Sequence, residues 1–168
     1  VFECAPTIRC TLPIYGLHDL FDMQRFWRDP RKARRMPAWM KRELVWAAAA
    51  YVGHPWHERV HHSPLASPLR LLEEPAPPEA RPLPPFFAAA GTADPLLDDS
   101  RRLQRAIEAR GGSCELHVYP GEIHGFNAMV WRPAARAKWR AVHEFLARHL
   151  GEATVEPGDP ERRLEHSA

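Results

Sequence analysis

Alternating apolar and polar positions mark out extended segments in this chain. Ile8, Cys10, Leu12 and Ile14 take every second position between Thr7 and Tyr15, the two-residue period of a half-buried strand. Pro13 lacks the N–H that a ladder needs, so this strand ends near Leu12 or pairs there on one side only. Phe86 to Ala90 is a continuous apolar run, as expected of a strand covered by helices on both faces. Cys114, Leu116 and Val118 alternate with Glu115, His117 and Tyr119, which predicts a third strand. His117 lies on its more polar face and reads as a structural or surface histidine.

Helical spacing fills the intervals. From Ala38 to Val52, the residues Trp39, Leu44, Ala47, Ala48 and Tyr51 include separations of three and four, so they predict a helix and its buried stripe. Pro37 suits its first turn and Gly53 its stop. A second helix follows Asp98 or Asp99 as cap, with Leu103, Ala106 and Ile107 inward, and closes at Gly111-Gly112. A third runs from Ala134 to Leu150 with Ala135, Trp139, Val142, Leu146 and Leu150 recurring at helical intervals. The connections are less regular. Phe21 to Met36 is aromatic, basic and poorly periodic, so it reads as a cap over a pocket or as an irregular packed loop. Leu69 to Pro85, with Pro75, Pro77, Pro78, Pro82, Pro84 and Pro85, reads as a stiff surface connection. Residues 151–168 have no apolar pattern and read as a frayed tail. The resulting division is one partial domain over 1–150, with a cap-like or connecting helical region at about 17–70 and a Pro-rich connection at 70–85.

Composition narrows the function classes. Of the 168 residues, 45% are hydrophobic and 26% charged, which is globular rather than disordered. No apolar run approaches a membrane span. The net charge of +2 gives no support for nucleic-acid binding, which needs a clustered basic face. The one basic run, Arg31-Lys32-Ala33-Arg34-Arg35, reads as a solvated loop. Cys4, Cys10 and Cys114 are odd in number and lack CxxC spacing, against a disulfide framework or a structural zinc site. Val1 is not a start methionine and no signal segment precedes the first apolar run, so the compartment is not legible.

Candidate chemistry gathers in two places. After the second strand come Gly91-Thr-Ala-Asp94-Pro95-Leu96-Leu97-Asp98; after the third come Tyr119-Pro120-Gly121-Glu122-Ile123-His124-Gly125-Phe126. Parallel strands joined by a helix bring their carboxyl ends to one sheet edge, where open α/β sheets bind ligands. A carboxylate and an imidazole delivered there can meet. The carboxylate would accept the Nδ1 proton and leave Nε2 free as a general base. Asp94 also has a local alternative as a helix cap ahead of Pro95. A competing pattern is His57-Glu58-x-x-His61, the zinc-hydrolase spacing. Pro55 and Pro64 restrict it to barely two turns and no third ligand follows at the expected spacing, so no metal or other cofactor is expected.

The two loop sequences together resemble the C-terminal half of an α/β-hydrolase, nearest the hormone-sensitive-lipase-like esterases. Tyr15-Gly16-Leu17-His18-Asp19-Leu20 and Ser63-Pro64-Leu65 are similar to connecting segments of that family, and the likeness extends over roughly residues 8–150. The resemblance implies an α/β fold: the C-terminal part of the sheet, about three parallel strands at about 8–14, 86–91 and 114–119 with flanking helices, incomplete without an N-terminal half. It implies Asp94 as triad acid and His124 as triad base. The nucleophile elbow G-x-S-x-G and the oxyanion segment are absent, so both are expected upstream of Val1. Ser63, Ser67, Ser100 and Ser113 lack the required strand-to-helix turn, and Ser100 is expected to face solvent. Phe126 is expected to pack beneath the loop, with Met129 and Trp131 lining a pocket or its floor.

The implied activity is serine carboxylester hydrolysis of small-molecule esters with short or medium acyl groups. A serine peptidase on the same fold and a non-catalytic α/β-hydrolase-like binding protein are the alternatives. Oligomeric state is not readable from the sequence.

Overall fold

Phe86–Gly91 (β1) and Cys114–Tyr119 (β2) pair in parallel, with Phe86 opposite Cys114 and Gly91 opposite Tyr119. They are the centre of a computed structural model that describes residues 7–23, 25–28, 30, 36–53, 55, 58 and 64–151. Among the described residues, four helices precede or join them: α1 (Arg25–Arg28), α2 (Ala38–Val52), α3 (Pro68–Glu73) and α4 (Leu97–Ala109); α5 (Pro133–Leu150) follows. Short 3₁₀ turns lie at Pro64–Ala66 and Phe126–Ala128. The unit β1-α4-β2-α5 therefore matches the expected strand-helix-strand-helix order.

The first extended segment contributes two parallel bridges, Thr11 to Phe86 and Ile14 to Ala89. It is a flank of β1 rather than a full strand. Thr11 exchanges both backbone bonds with β1, donating to the Pro85 carbonyl and accepting from Phe87 N–H, each at 2.9 Å. Pro13, between the two bridges, has no N–H to offer, so pairing is interrupted there.

Residues alternate across β1, as the pleat demands. Ala88 faces a cluster with Leu69, Leu103, Ala106, Ile107 and Cys114. Phe87 and Ala89 face the other way, against Val142 and Phe145 of α5. Helices thus cover both sides of the strand, which explains its unbroken apolar sequence. Phe87, Leu69, Ile107 and Phe145 are essentially inaccessible to solvent, and each such side chain contributes about 1.5–3 kcal/mol. A third cluster, Leu20, Met23, Phe26, Met36, Ala48, Ala66 and Leu96, packs the 17–66 region against the start of α4.

Several expected faces are rotated. Helix α5 buries Ala135, Lys138, Val142 and Phe145, so the stripe passes through a lysine instead of Trp139, with Leu146 packed half-buried beside it. The aliphatic stem of a lysine covers apolar surface as well as many hydrophobes do, and its Nζ lies 3.5 Å from the Trp139 ring centre. In α2 the buried residues are Ala48 and Ala49, while Trp39, Ala47 and Tyr51 are exposed. Pro37 is the residue before α2, where its carbonyl accepts from Lys41 N–H at 3.2 Å. Gly53 ends the helix at φ 84°, a value that favours glycine. Helix α3 was not expected. Pro68 occupies its first turn, where a missing N–H costs nothing, so the Pro-rich connection begins after Glu73. Neither Asp98 nor Asp99 caps α4: both lie inside its first turn. The tail beyond Gly151, Cys4 and most of the 54–63 segment, including His57, His61 and Ser63, lie outside the described residues.

A buried ionic lattice joins the cap-like region to α4. Asp99 accepts from Arg25 Nε at 3.0 Å and Nη2 at 2.7 Å, and from the His18 N–H at 3.0 Å. Arg102 donates to Asp19 at 2.8 Å and to Glu73 at 3.0 Å. Burial pushes the Asp19 carboxyl up, but the Arg102 hydrogen bond and the Arg25 and Arg102 charges outweigh it and hold Asp19 below its ordinary value. His18 is buried, its ring lies over Gly16, and its Nε2 has no partner among the described residues.

Burial lowers the His18 pKa, Asp99 opposes that shift, and Arg25 reinforces it. The unfolded chain therefore binds the His18 proton more readily than the folded chain. Stability associated with this group is fully present above its ordinary value of 6.5 and falls as pH drops below it. His18→Gln is expected to flatten the decline in melting temperature in that window, measured by thermal unfolding against pH. An unchanged slope would contradict this assignment.

Candidate active site

Local backbone requirements bring the ends of β1 and β2 together. After Gly91 the chain turns, with Thr92 N–H donating to the Tyr119 carbonyl and Ala93 N–H to the Glu122 carbonyl, each at 3.0 Å. Thr92 Oγ1 in turn accepts from Gly121 N–H at 2.7 Å. The loops approach so closely that a Cβ on Gly91 would lie 1.9 Å from the Glu122 carbonyl oxygen. Only glycine permits that approach. The Glu122 side chain is buried, with Oε1 3.1 Å from Arg132 Nη2.

This stitching sets Asp94 beside His124. His124 Nδ1 lies 3.1 Å from Asp94 Oδ2 and 3.3 Å from Oδ1. The Asp94 side chain is 0% exposed and that of His124 is 42% exposed. An ionised carboxylate only accepts hydrogen bonds, so this contact calls for the proton to sit on Nδ1. Asp94 Oδ1 also accepts from Leu96 N–H at 2.8 Å. The local turn-forming role and the pairing with His124 therefore coexist in one carboxylate. The arrangement is a buried carboxylate held against a half-exposed imidazole.

Phe126 is fully buried beneath the loop and contacts Tyr119, ring centres 5.0 Å apart. Met129 is half-buried, whereas Trp131 is 71% exposed. His117 stacks on Phe87 at 4.7 Å, a structural place. Ser100 is buried rather than solvent-facing, its hydroxyl 3.5 Å from the Leu96 carbonyl. Ser67 is also buried, and its Oγ accepts from Leu20 N–H at 2.9 Å. No serine hydroxyl among the described residues is hydrogen-bonded to His124. Two surface depressions, one along Leu72, Arg102 and Ala109 and the other along Trp27, Val45 and Trp46, are not lined by Asp94 or His124.

Tyr15 is the site neighbour that sequence reasoning missed. Its ring lies 5.1 Å from the His124 ring, and its hydroxyl accepts from Asn127 N–H at 3.3 Å. The available signal was positional: Tyr15 ends a segment parallel to β1, and so arrives at the same edge.

A family model described as the α/β hydrolase fold matches residues 3–128. Acetyl esterases of Salmonella dublin and Salmonella enteritidis are 46% identical over 46 residues, 27% of this chain and 14% of each relative. The solved structure of an esterase from the bacterial hormone-sensitive lipase family is 24% identical with a TM-score of 0.69, over 87% of this chain and 45% of that one. EstE5, in crystals soaked with p-nitrophenyl butyrate, is 23% identical with a TM-score of 0.61, over 86% of this chain and 44% of its own. The chain thus spans less than half the length of the solved structures it matches.

Proposed function

Because this chain belongs to the α/β-hydrolase fold family, we propose that it carries the acid and base of a serine carboxylesterase, Asp94 and His124, with the nucleophile and oxyanion hole supplied by sequence preceding Val1. The observation that carries this reading is the 3.1 Å contact between the buried Asp94 carboxylate and the half-exposed His124 imidazole. The substrate class is a small-molecule ester with a short or medium acyl group, a reading supported by the acetyl esterase relatives.

The chemistry follows from the protonation states. His124 Nε2 takes the proton of the serine hydroxyl as its oxygen attacks the ester carbonyl carbon. Asp94 stays ionised and stabilises the imidazolium that forms. The tetrahedral intermediate collapses, the carbon–oxygen bond to the alcohol breaks, and His124 returns the proton to the leaving oxygen. Water then attacks the acyl-enzyme, losing its proton to the same Nε2. The intermediate re-forms serine and releases the carboxylic acid.

The test compares two lengths of protein. A fluorophosphonate probe should label the protein that includes the upstream sequence and leave the 168-residue chain unmarked. In the longer protein, His124→Ala should abolish turnover of a p-nitrophenyl ester while the circular dichroism spectrum persists. No labelling of the longer protein, or full turnover without His124, would reject this reading.

A further inference from the structure

Asp94 fixes one edge of the His124 imidazole, but a single hydrogen bond leaves the ring free to swing about the line between Nδ1 and the carboxylate. Tyr15 packs against that ring. Its ring centre lies 5.1 Å from that of His124, with 53° between the planes, and 5.7 Å from Phe126 in an edge-on arrangement. Its hydroxyl accepts the Asn127 N–H at 3.3 Å. One side chain therefore touches both the imidazole and the backbone three residues beyond it.

The backbone of Tyr15 is adapted to this reach. It has φ 56°, the only positive φ at a non-glycine position among the described residues. Bulky side chains rarely adopt that conformation, and such outliers collect at functional sites. Ile14 bridges Ala89, on the side of β1 away from β2, so the left-handed turn carries the Tyr15 ring across the end of β1 to the loop after β2. The phenol is pushed up to about 12, by burial foremost, with Asp94, Tyr119 and Glu122 adding to it and the Asn127 N–H opposing. It therefore stays neutral and serves as an acceptor for Asn127 rather than as a base.

We infer that Tyr15 is a positioning residue that holds the His124 imidazole in register with Asp94, and that its ring rather than its hydroxyl does so. This rests on the triad reading. It requires that the ring alone suffice and that the turn alone not suffice, which two substitutions separate. Tyr15→Phe keeps the ring. Tyr15→Gly keeps the left-handed turn without strain and removes the ring.

The test uses the protein that includes the upstream sequence, with isotope-labelled histidine. The unmodified chain should show a nuclear Overhauser contact between the Tyr15 and His124 rings and a discrete Nδ1–H resonance for His124. Tyr15→Phe should retain that resonance, and Tyr15→Gly should lose it to exchange averaging. A retained resonance in Tyr15→Gly, its loss in Tyr15→Phe, or no ring contact in the unmodified chain would overturn the inference; the last two decide the matter even if Tyr15→Gly does not fold. Asp94→Asn separates this idea from the one beneath it. Loss of the resonance with Asp94→Asn but not with Tyr15→Gly removes Tyr15 and leaves the triad. Retention in both removes the triad as well.

Discussion

Asp94→Asn is expected to lower kcat for ester hydrolysis about 10⁴-fold in the protein that carries the nucleophile, the scale seen when a triad carboxylate becomes an amide. The amide can still accept the Leu96 N–H that now bonds Asp94 Oδ1 at 2.8 Å, so the turn should survive. What it loses is the negative charge that, in the proposed chemistry, selects the Nδ1–H tautomer and stabilises the imidazolium. KM should change little, because no step of substrate binding uses the carboxylate. Steady-state kinetics on a p-nitrophenyl ester, paired with a thermal melt, make the measurement. A fall of less than tenfold would mean that the carboxylate serves the turn and not the chemistry.

Asp99→Ala is expected to destabilise the chain by about 3–5 kcal/mol, the cost of leaving one member of a buried ion pair without its partner. Asp99 is 1% exposed and Arg25 15% exposed. Removing the carboxylate takes the counter-charge and two hydrogen bonds from the Arg25 guanidinium, which keeps the Asp19 and Asp22 carbonyls. It also leaves the His18 N–H without its acceptor. Against a total of roughly 5–15 kcal/mol for a domain, that loss is large. Urea unfolding should show it as a lower midpoint with little change in slope. Arg28→Ala is the control, since the Arg28–Asp22 pair is solvent-exposed and such pairs are worth about 0–1 kcal/mol. Equal effects of the two substitutions would contradict the role given to Asp99.

What the sequence disclosed, and what it hid, divides along physical lines. β1 and β2 were legible to the residue because a doubly covered strand must be apolar throughout and a half-covered one must alternate. The boundaries of α2 were legible from Pro37 and Gly53, which act through the backbone alone. Its face was not, because large aromatic residues such as Trp39 and Tyr51 were expected inward and stand outward. The face of α5 was obscured for the opposite reason: Lys138 buries its stem where a hydrophobe was expected. Ser100 was expected to face solvent and Asp98 or Asp99 to cap α4, yet Ser100 is buried and Asp99 is buried inside the first turn. The partners of Asp99 lie 74 and 81 positions away, beyond any local pattern. The meeting of Asp94 and His124 was legible because each follows a strand end in a short, distinctive loop. Tyr15 was not, since its reach depends on a positive φ that no neighbouring residue signals.

The most direct measurement is the ¹⁵N spectrum of the His124 imidazole in the unmodified chain. The expected result is a proton on Nδ1 and none on Nε2, with the Nδ1–H resonance shifted by its hydrogen bond to a carboxylate. A missing Nδ1 proton, or a ring exchanging freely between its two neutral forms, would contradict the pairing of Asp94 with His124 on which the proposed chemistry stands.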